Sequence, residues 1–287
     1  MALAMPHVEG VEHRYADVDG LRVHYAEAGE GDPLILQHGW PQHWWLWRDL
    51  IGPLAERFRV ICPDMRGFGW MDAPRSGYDK PQLARDTIGL LDALGIERVR
   101  YIGHDWGGFT GFVAALYHPE RFERFMPLSI PPPWPSPGRV SPRTLMQAWY
   151  QVAIASPVAG PLLVGRLGFP RRILEAARKS GTWSEDELRT YEEAIERPSS
   201  TRASVNLYRT FLLRELGPLI RGKYKSRRLS VPTRLLLGRS DPLGRALTDE
   251  WRDHADDMEV ERVEGASHFL PEEKPEVVLE RALRFLP

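Results

Sequence analysis

Val99-Arg100-Tyr101-Ile102-Gly103-His104-Asp105-Trp106-Gly107-Gly108 is the stretch on which the reading of this 287-residue chain turns. A run rich in β-formers (Val99, Tyr101, Ile102) stops abruptly at Gly103, and a continuous helical pattern follows from Phe109 to Leu116. A strand that runs straight into a helix leaves little room at the corner, so the flanking residues must be small. Gly103, Gly107 and Gly108 meet that demand. The apex of such a corner stands at the top of a sheet, the place a serine nucleophile takes in a G-x-S-x-G turn. Here the apex is Asp105. A serine must lose its proton before it attacks, whereas a carboxylate is ionised at neutral pH and can attack an alkyl carbon directly. The product is an ester of the protein, which water must then cleave. The plainer alternative is a glycine-rich turn in which Asp105 only caps the helix.

Toward the N-terminus, Glu12–Val18 and Leu21–Ala28 read as strands joined at Asp19-Gly20, a dipeptide that favours a hairpin. Leu34-Ile35-Leu36-Gln37 suits a short buried strand and stops at His38-Gly39-Trp40-Pro41. The glycine of that loop lets backbone approach a ligand, so the Trp40 amide can be aimed at a developing oxyanion. Trp44–Phe58 has helical character, and Val60-Ile61-Cys62 is a strand leading into Asp64-Met65-Arg66-Gly67-Phe68-Gly69. Lys80–Leu94 is a helix closed by Gly95. Beyond the corner, Phe125–Ile130 is another strand. Strands alternating with helices predict an α/β fold with parallel strands and right-handed crossovers.

The alternation breaks at Pro131-Pro132-Pro133-Trp134-Pro135-Ser136-Pro137, which cannot be helix interior or central strand. The segment that follows carries helical patterns (Thr144–Ile154, Pro170–Lys179, Glu185–Glu196, Ser200–Leu213) and little strand character. The expected organisation is a core formed by residues 1–133 and 229–287 around a helical cap at 134–228. The core resumes with a strand at Val231–Gly238, followed by Ser240-Asp241-Pro242, a helix around Thr248–Ala255 and a strand at Met258–Val263. Ser267-His268-Phe269 and a final helix, Pro275–Phe285, complete it. Asp105, Asp241 and His268 each follow a strand, so an open sheet brings all three to one carboxyl edge, in the order nucleophile, acid, histidine.

Composition fits this picture. Hydrophobic residues make up 43% and charged residues 27%, with 10 Trp, which is globular. No apolar run reaches the ~20 residues of a membrane span, and Met1–Gly10 lacks the features of a signal peptide. A formal net charge of −1 gives no reason to expect nucleic acid or an anionic membrane as partner. The single cysteine, Cys62, excludes an internal disulfide. A cytoplasmic protein is expected. His38 and His43 have no third ligand nearby and no dinucleotide fingerprint is present, so neither metal nor cofactor is expected.

On His38-Gly39-Trp40-Pro41, the loop from Asp64 to Gly69, the Asp105 corner, Asp241 and His268, the sequence resembles the α/β-hydrolase superfamily and, within it, the epoxide hydrolases related to the soluble enzymes. The resemblance covers essentially the whole chain. It implies a mostly parallel eight-stranded sheet with an inserted helical cap, Asp105 as nucleophile, His268 as base oriented by Asp241, and the amides of Trp40 and Trp106 as oxyanion hole. It also implies two cap tyrosines that protonate the leaving oxygen. Trp149-Tyr150 with Pro157 resembles the first motif, with Ala155 where glutamine is usual; Asn206-Leu207-Tyr208-Arg209 resembles the second, with Leu207 where an aromatic is usual. Tyr191 and Tyr224 are the weaker substitutes. The implied reaction converts a small hydrophobic epoxide and water to a vicinal diol. Dehalogenases share the Asp nucleophile and Trp106, but many have asparagine where Trp40 stands. A catalytically silent binding protein of this fold is the third reading. His38, Trp44, Trp45, Trp47, Phe109, Trp134, Trp149 and Phe269 are the candidates to line the substrate pocket. A homodimer is left open, and a detoxifying and a biosynthetic enzyme would look alike in sequence.

Overall fold

In the computed structural model, which describes residues 3–135, 149–181, 183–245, 247 and 249–287, the strand-like runs pair into one sheet. The strands are β1 (Glu12–Val18), β2 (Leu21–Ala28), β3 (Asp32–Gln37), β4 (Phe58–Pro63), β5 (Val99–His104), β6 (Phe122–Leu128), β7 (Thr233–Gly238) and β8 (Met258–Val263). Their order across the sheet is β1-β2-β4-β3-β5-β6-β7-β8. The β1/β2 and β2/β4 pairs are antiparallel and all later pairs are parallel. The hairpin predicted at Asp19-Gly20 forms with positive φ at both residues, as a two-residue type I′ turn requires.

The inner strands read as unbroken apolar runs because helices cover both faces. One face packs Tyr101, Phe125 and Leu235 under α2 (Lys80–Ala93) and α3 (Trp106–Tyr117); the other packs Leu36, Cys62 and Met126 under α1 (Arg48–Ala55) and α12 (Pro275–Phe285). Asp79 caps α2 by accepting from the Gln82 amide, and Gly95 follows that helix with a φ of 66°. The helical stretch predicted for Trp44–Phe58 is shorter and divided: a 3₁₀ turn at Trp44–Trp47 precedes α1, and β4 begins at Phe58. The helix expected around Thr248–Ala255 is only a 3₁₀ turn, Asp249–Asp253, and Thr248 lies outside the described residues.

Between β6 and β7 the described residues form helices and, at Leu229, a single bridge to Ala255. The helices are α4 (Trp149–Ala155), α5 (Ala159–Gly165), α6 (Phe169–Ala177), α7 (Glu185–Ile195), α8 (Pro198–Thr210), a π-helical turn at Phe211–Glu215 and α9 (Leu216–Ile220). Residues 144–148 of the first expected helix lie outside the described residues. The sequence gives little sign of α5, whose Gly160, Pro161 and Gly165 are poor helix formers. Packing against α4 and α8 overrides that weakness: a Cβ at Gly160 would collide with the Ile154 carbonyl and Val205. Ser184 and Glu187 form a reciprocal capping box at the start of α7. Short helices α10 (Pro242–Arg245) and α11 (Leu270–Glu273) follow β7 and β8.

Asp64, just past β4, fixes the loops at the carboxyl edge. It accepts from His24 Nδ1 at 2.6 Å and from the amides of Trp44 at 3.0 Å and Trp70 at 2.8 Å. Any Cβ at Gly69 would collide with its carboxylate. Burial works against the charge of Asp64, but His24, His38 and His43 together outweigh it and hold the carboxyl at about 2. A carboxyl held below its unfolded value of about 3.9 stabilises the fold above that pH and loses the contribution as pH falls through the folded value. The contribution is about 2 kcal/mol. Urea unfolding followed from pH 5 to pH 2 is therefore expected to show stability falling across this window, and Asp64→Asn should lower stability at neutral pH and flatten that dependence.

Candidate active site

The sheet edge at the carboxyl ends of β3, β5, β7 and β8 carries the candidate residues. Asp105 sits at the corner between β5 and α3 with φ 50° and ψ −121°, a conformation strained for a side chain larger than glycine. Its side chain does not accept from the second or third amide of α3, as a helix cap would, so the plain helix-cap alternative does not describe it. The corner is possible because its neighbours lack side chains. A Cβ on Gly103 would come within 2.7 Å of the Gly107 carbonyl carbon, and one on Gly107 would collide with the carbonyls of Gln37 and His38. Carboxylate oxygen Oδ2 of Asp105 accepts from the Trp40 amide at 3.1 Å, and the Trp106 amide also bonds the carboxylate. Oδ1 faces His268 Nε2 across 3.7 Å, too far for a direct hydrogen bond. His268 Nδ1 donates to Asp241 Oδ2 at 3.1 Å.

Electrostatics follow from this layout. Burial pushes the Asp105 carboxyl up, while His268 and the amides of Trp106 and Trp40 pull it back toward ionisation. Burial also disfavours a charged His268, but Asp241, Asp105 and Glu273 outweigh it and push the imidazole up to about 9. At neutral pH His268 is therefore held as an imidazolium, with Asp105 on one side and Asp241 on the other. The structure brings Tyr150, at the start of α4, and Tyr208, on α8, to the same place with ring centres 6.1 Å apart. The two rings meet edge to face, and the Tyr150 hydroxyl also accepts from Gln151 Nε2 at 3.4 Å. Burial pushes Tyr150 up to about 12 and Tyr208 well above the ordinary phenol value, so both keep their protons. Tyr208 stands edge-on to Trp40 at 5.3 Å and to Trp106 at 5.8 Å.

A cavity of about 740 Å³ opens above Asp105 and His268. Of the residues expected to line it, Trp149 and Phe269 do so, together with Trp40, Tyr150, Tyr208 and Asp241. His38, Trp44, Phe109 and Trp134 do not, and each is corrected to a place in the core. His38 accepts from the Met65 amide at 2.9 Å and donates to the Gly39 carbonyl, which ties two loops together beneath the site. Trp44 is packed under α1 against His13. Phe109 lies behind Trp106 on α3. Trp134 donates its indole N–H to the Tyr224 carbonyl and stacks on His254. Trp45 and Trp47 likewise pack in or against the core. Tyr191 is committed to Glu272 at 2.7 Å, and neither it nor Tyr224 reaches the cavity. No group of three or more His, Cys, Asp or Glu among the described residues is arranged to hold a metal ion, and no described helix is long and apolar enough to cross a membrane.

A family model described as the α/β-hydrolase fold matches residues 32–275. The chain belongs to the α/β-hydrolase family. The hydrolase is 34% identical to the soluble epoxide hydrolase of a Corynebacterium species, over 96% of this chain and 97% of the relative. It is 31% identical to epoxide hydrolase A of Mycobacterium tuberculosis, over 95% of this chain and 96% of the relative. The solved structure of epoxide hydrolase CorEH without ligand superposes with a TM-score of 0.86 at 33% identity, covering 96% of this chain and 98% of that one.

Sequence reasoning missed three parts of the hydrolase's site. Ile173, Ala176 and Ala177 of α6 line the cavity; their i, i+3, i+4 spacing was visible, but the direction of that face was not. His104, kept neutral by burial and by His268, donates from Nε2 to the His268 carbonyl at 2.8 Å. Glu273 bonds the amides on either side of His268. Gly39 has a sharper role than loop flexibility, because a Cβ there would stand 2.5 Å from Asp105 Cβ and 2.6 Å from its Oδ2. Gly39→Ala should therefore displace the carboxylate from the Trp40 amide. The expected result is a loss of at least a hundredfold in kcat, in line with removal of an oxyanion donor, with a thermal midpoint within a few degrees of the parent.

Proposed function

We propose that this hydrolase opens an epoxide with water to give a vicinal diol, through an ester on Asp105. The observation that carries the reading is the pair of protonated phenols, Tyr150 and Tyr208, in the same cavity as a carboxylate nucleophile. Opening an epoxide makes an alkoxide, which needs a proton donor, and a general acid of this kind contributes about 10²–10⁴-fold. The similarity to epoxide hydrolases over nearly the full chain supports the same assignment.

In this reaction Oδ1 of Asp105 attacks an epoxide carbon, because Oδ2 is already engaged by the Trp40 amide. The C–O bond of the epoxide breaks, and its oxygen takes a proton from Tyr150 or Tyr208. The imidazolium of His268 gives its proton up to the tyrosinate, and the neutral ring then removes a proton from the water that attacks the ester carbonyl carbon; the Cγ–Oδ1 bond breaks, the departing diol oxygen takes its proton back from the imidazolium, and Asp241 keeps the ring oriented throughout. The developing oxyanion is Oδ2, held by the Trp40 amide, with the Trp106 amide as the second donor to the same carboxyl group. We take residues 134–228 as the cap that delivers both tyrosines, and a small hydrophobic epoxide as the substrate. We place the enzyme in the cytoplasm, where a buried lone thiol such as Cys62 stays reduced.

A dehalogenase has one observation in its favour, the buried indole N–H of Trp106, which faces the Tyr208 hydroxyl without a well-formed hydrogen bond. A leaving halide wants N–H donors, yet the Trp40 indole is committed to Ser204 Oγ at 3.0 Å and Trp106 is not among the residues lining the cavity. The groups left to receive a departing atom are the phenols.

A single turnover of a simple aromatic epoxide in ¹⁸O-water with excess enzyme tests the reading. The diol should be unlabelled and the label should appear in the peptide containing Asp105; a labelled first-turnover diol would exclude the ester. His268→Gln is expected to form the ester and stop, and Tyr150→Phe and Tyr208→Phe should each slow ester formation by about tenfold or more, with the double variant slower than either.

A further inference from the structure

The short helix α11, just after His268, carries two adjacent buried carboxylates with different surroundings. Glu272 is paired with Arg48 and also accepts from Tyr191 and Gln42. Glu273 has no Lys or Arg within ion-pair distance among the described residues, and only 6% of its surface is exposed. It is surrounded instead by backbone amides. Oε1 accepts from Ser267 at 3.0 Å and from Phe269 at 3.1 Å; Oε2 accepts from Lys179 at 2.7 Å and from Ser180 at 3.1 Å, and also lies 3.1 Å from the Ser267 amide. Ser267 and Phe269 flank His268. Lys179 and Ser180 follow α6, the helix that forms one wall of the cavity. The Ser180 hydroxyl donates to the Glu273 carbonyl, and the His268 amide donates to the Ala177 carbonyl at 3.3 Å, so the two segments are stitched side by side.

We propose that Glu273 is a positioning residue for His268: one carboxylate holds both neighbours of the histidine and the loop after α6, so that the seating of the helical segment over the cavity fixes where the histidine stands, and the same carboxylate sets a third negative charge beside the ring. The proposal rests on the reading of His268 as the base. The charged and titratable groups facing the imidazole are Asp105 from the corner, Asp241 from the loop after β7, His104 at the end of β5 and Glu273 from α11, with Arg178 and Lys179 lining the same cavity from the helical segment. The three carboxylates favour the imidazolium, and Glu273 is among the groups that raise the histidine. Neutral glutamine at position 273 keeps the shape, but its side-chain amide cannot accept where it now donates, so amides on one side lose their acceptor.

Two different effects follow. Loss of charge lowers the pKa of His268, and loss of the amide bonds loosens its placement. Glu273→Gln in the full chain separates them. In an NMR titration of the His268 ring the expected midpoint lies at least half a unit below the parent. In single-turnover work with the aromatic epoxide, the plateau rate of ester hydrolysis should fall about tenfold while its acid limb moves to lower pH, with KM and ester formation within about threefold of the parent. A purely structural weakening would lower rates without moving the midpoint, so an unchanged midpoint in the folded variant overturns the proposal. The titration needs no substrate, so it decides the point even where failure to turn over an epoxide has removed the reading on which the proposal rests. Should Glu273→Gln not fold, Lys179→Pro removes the strongest amide bond from the helical segment and leaves the carboxylate. Arg178, at φ −90° and ψ 136°, already has the extended backbone that precedes a proline. Against Lys179→Ala as reference, a fall in the hydrolytic plateau rate supports the proposal and an equal rate overturns it.

Discussion

Asp105 is 7% exposed, and the nucleophilic role proposed for it requires that it be ionised. Burying an uncompensated carboxylate costs several kcal/mol, and the usual escape is protonation. Here the compensation comes from the His268 imidazolium and from two backbone amides, and the amides cannot be placed at will. Amides point at the carboxylate only if the loop after β3 comes almost into contact with the β5–α3 corner, which is why Gly39, Gly103 and Gly107 have no space for a side chain. The close approach in turn requires that β3 and β5 be adjacent in the sheet, as they are. One electrostatic need thus accounts for the glycines, the strained apex and the neighbouring strand order at the sheet centre.

The helical segment is registered to the same loops. Trp40, whose amide faces Asp105, sends its indole N–H to Ser204 on α8, one turn from Tyr208. Beneath Trp106 the buried Lys80 lies 4.2 Å from the indole ring and pairs with Glu215 in the π-helical turn, while the Glu215 carboxylate also accepts from the Lys80 amide. On the opposite side Arg48 joins Glu187 of α7 to Glu272 of α11. Replacing buried ion pairs by apolar packing is often neutral or favourable for stability. What these pairs supply is register: they let the helices that carry the phenols dock in one position over a carboxylate they do not touch covalently.

The sequence made the frame legible because the signals there are local. The apolar runs of β3 to β7, the Asp19-Gly20 turn and the glycines of the corner each state a backbone requirement on their own. Asp105, Asp241, His268, Tyr150 and Tyr208 were also readable, since each belongs to a motif or to a fixed place after a strand, and the structure brings them to one cavity. The pocket wall was not readable. Trp44 and Trp134 have the composition of a pocket and the packing of a core, and only the tertiary arrangement separates the two. Ala176 and Ala177 have no chemical signature at all, and Glu273 looks like one more acidic residue in a charged helix until its partners prove to be amides. The missed α5 shows the complementary failure, a helix that exists because its glycine allows close packing.

The resting charge of the site also bears on how the proposed reaction orders its steps. Before attack, Asp105 and Asp241 both favour a protonated His268, so the histidine is a poor base and instead neutralises the nucleophile's surroundings. Attack on an epoxide consumes the Asp105 charge in an uncharged ester. That removes one of the anions holding the histidine's proton, and the imidazole becomes easier to deprotonate just when a base is needed for water. Asp241 remains, at 3.1 Å, so the ring keeps its orientation while its basicity falls toward the range useful at neutral pH. Premature activation of water would be wasteful with no ester to cleave, and the geometry discourages it because the same carboxylate that will carry the ester keeps the base occupied. Nothing has to move for this change, since the covalent step itself alters the field at the histidine.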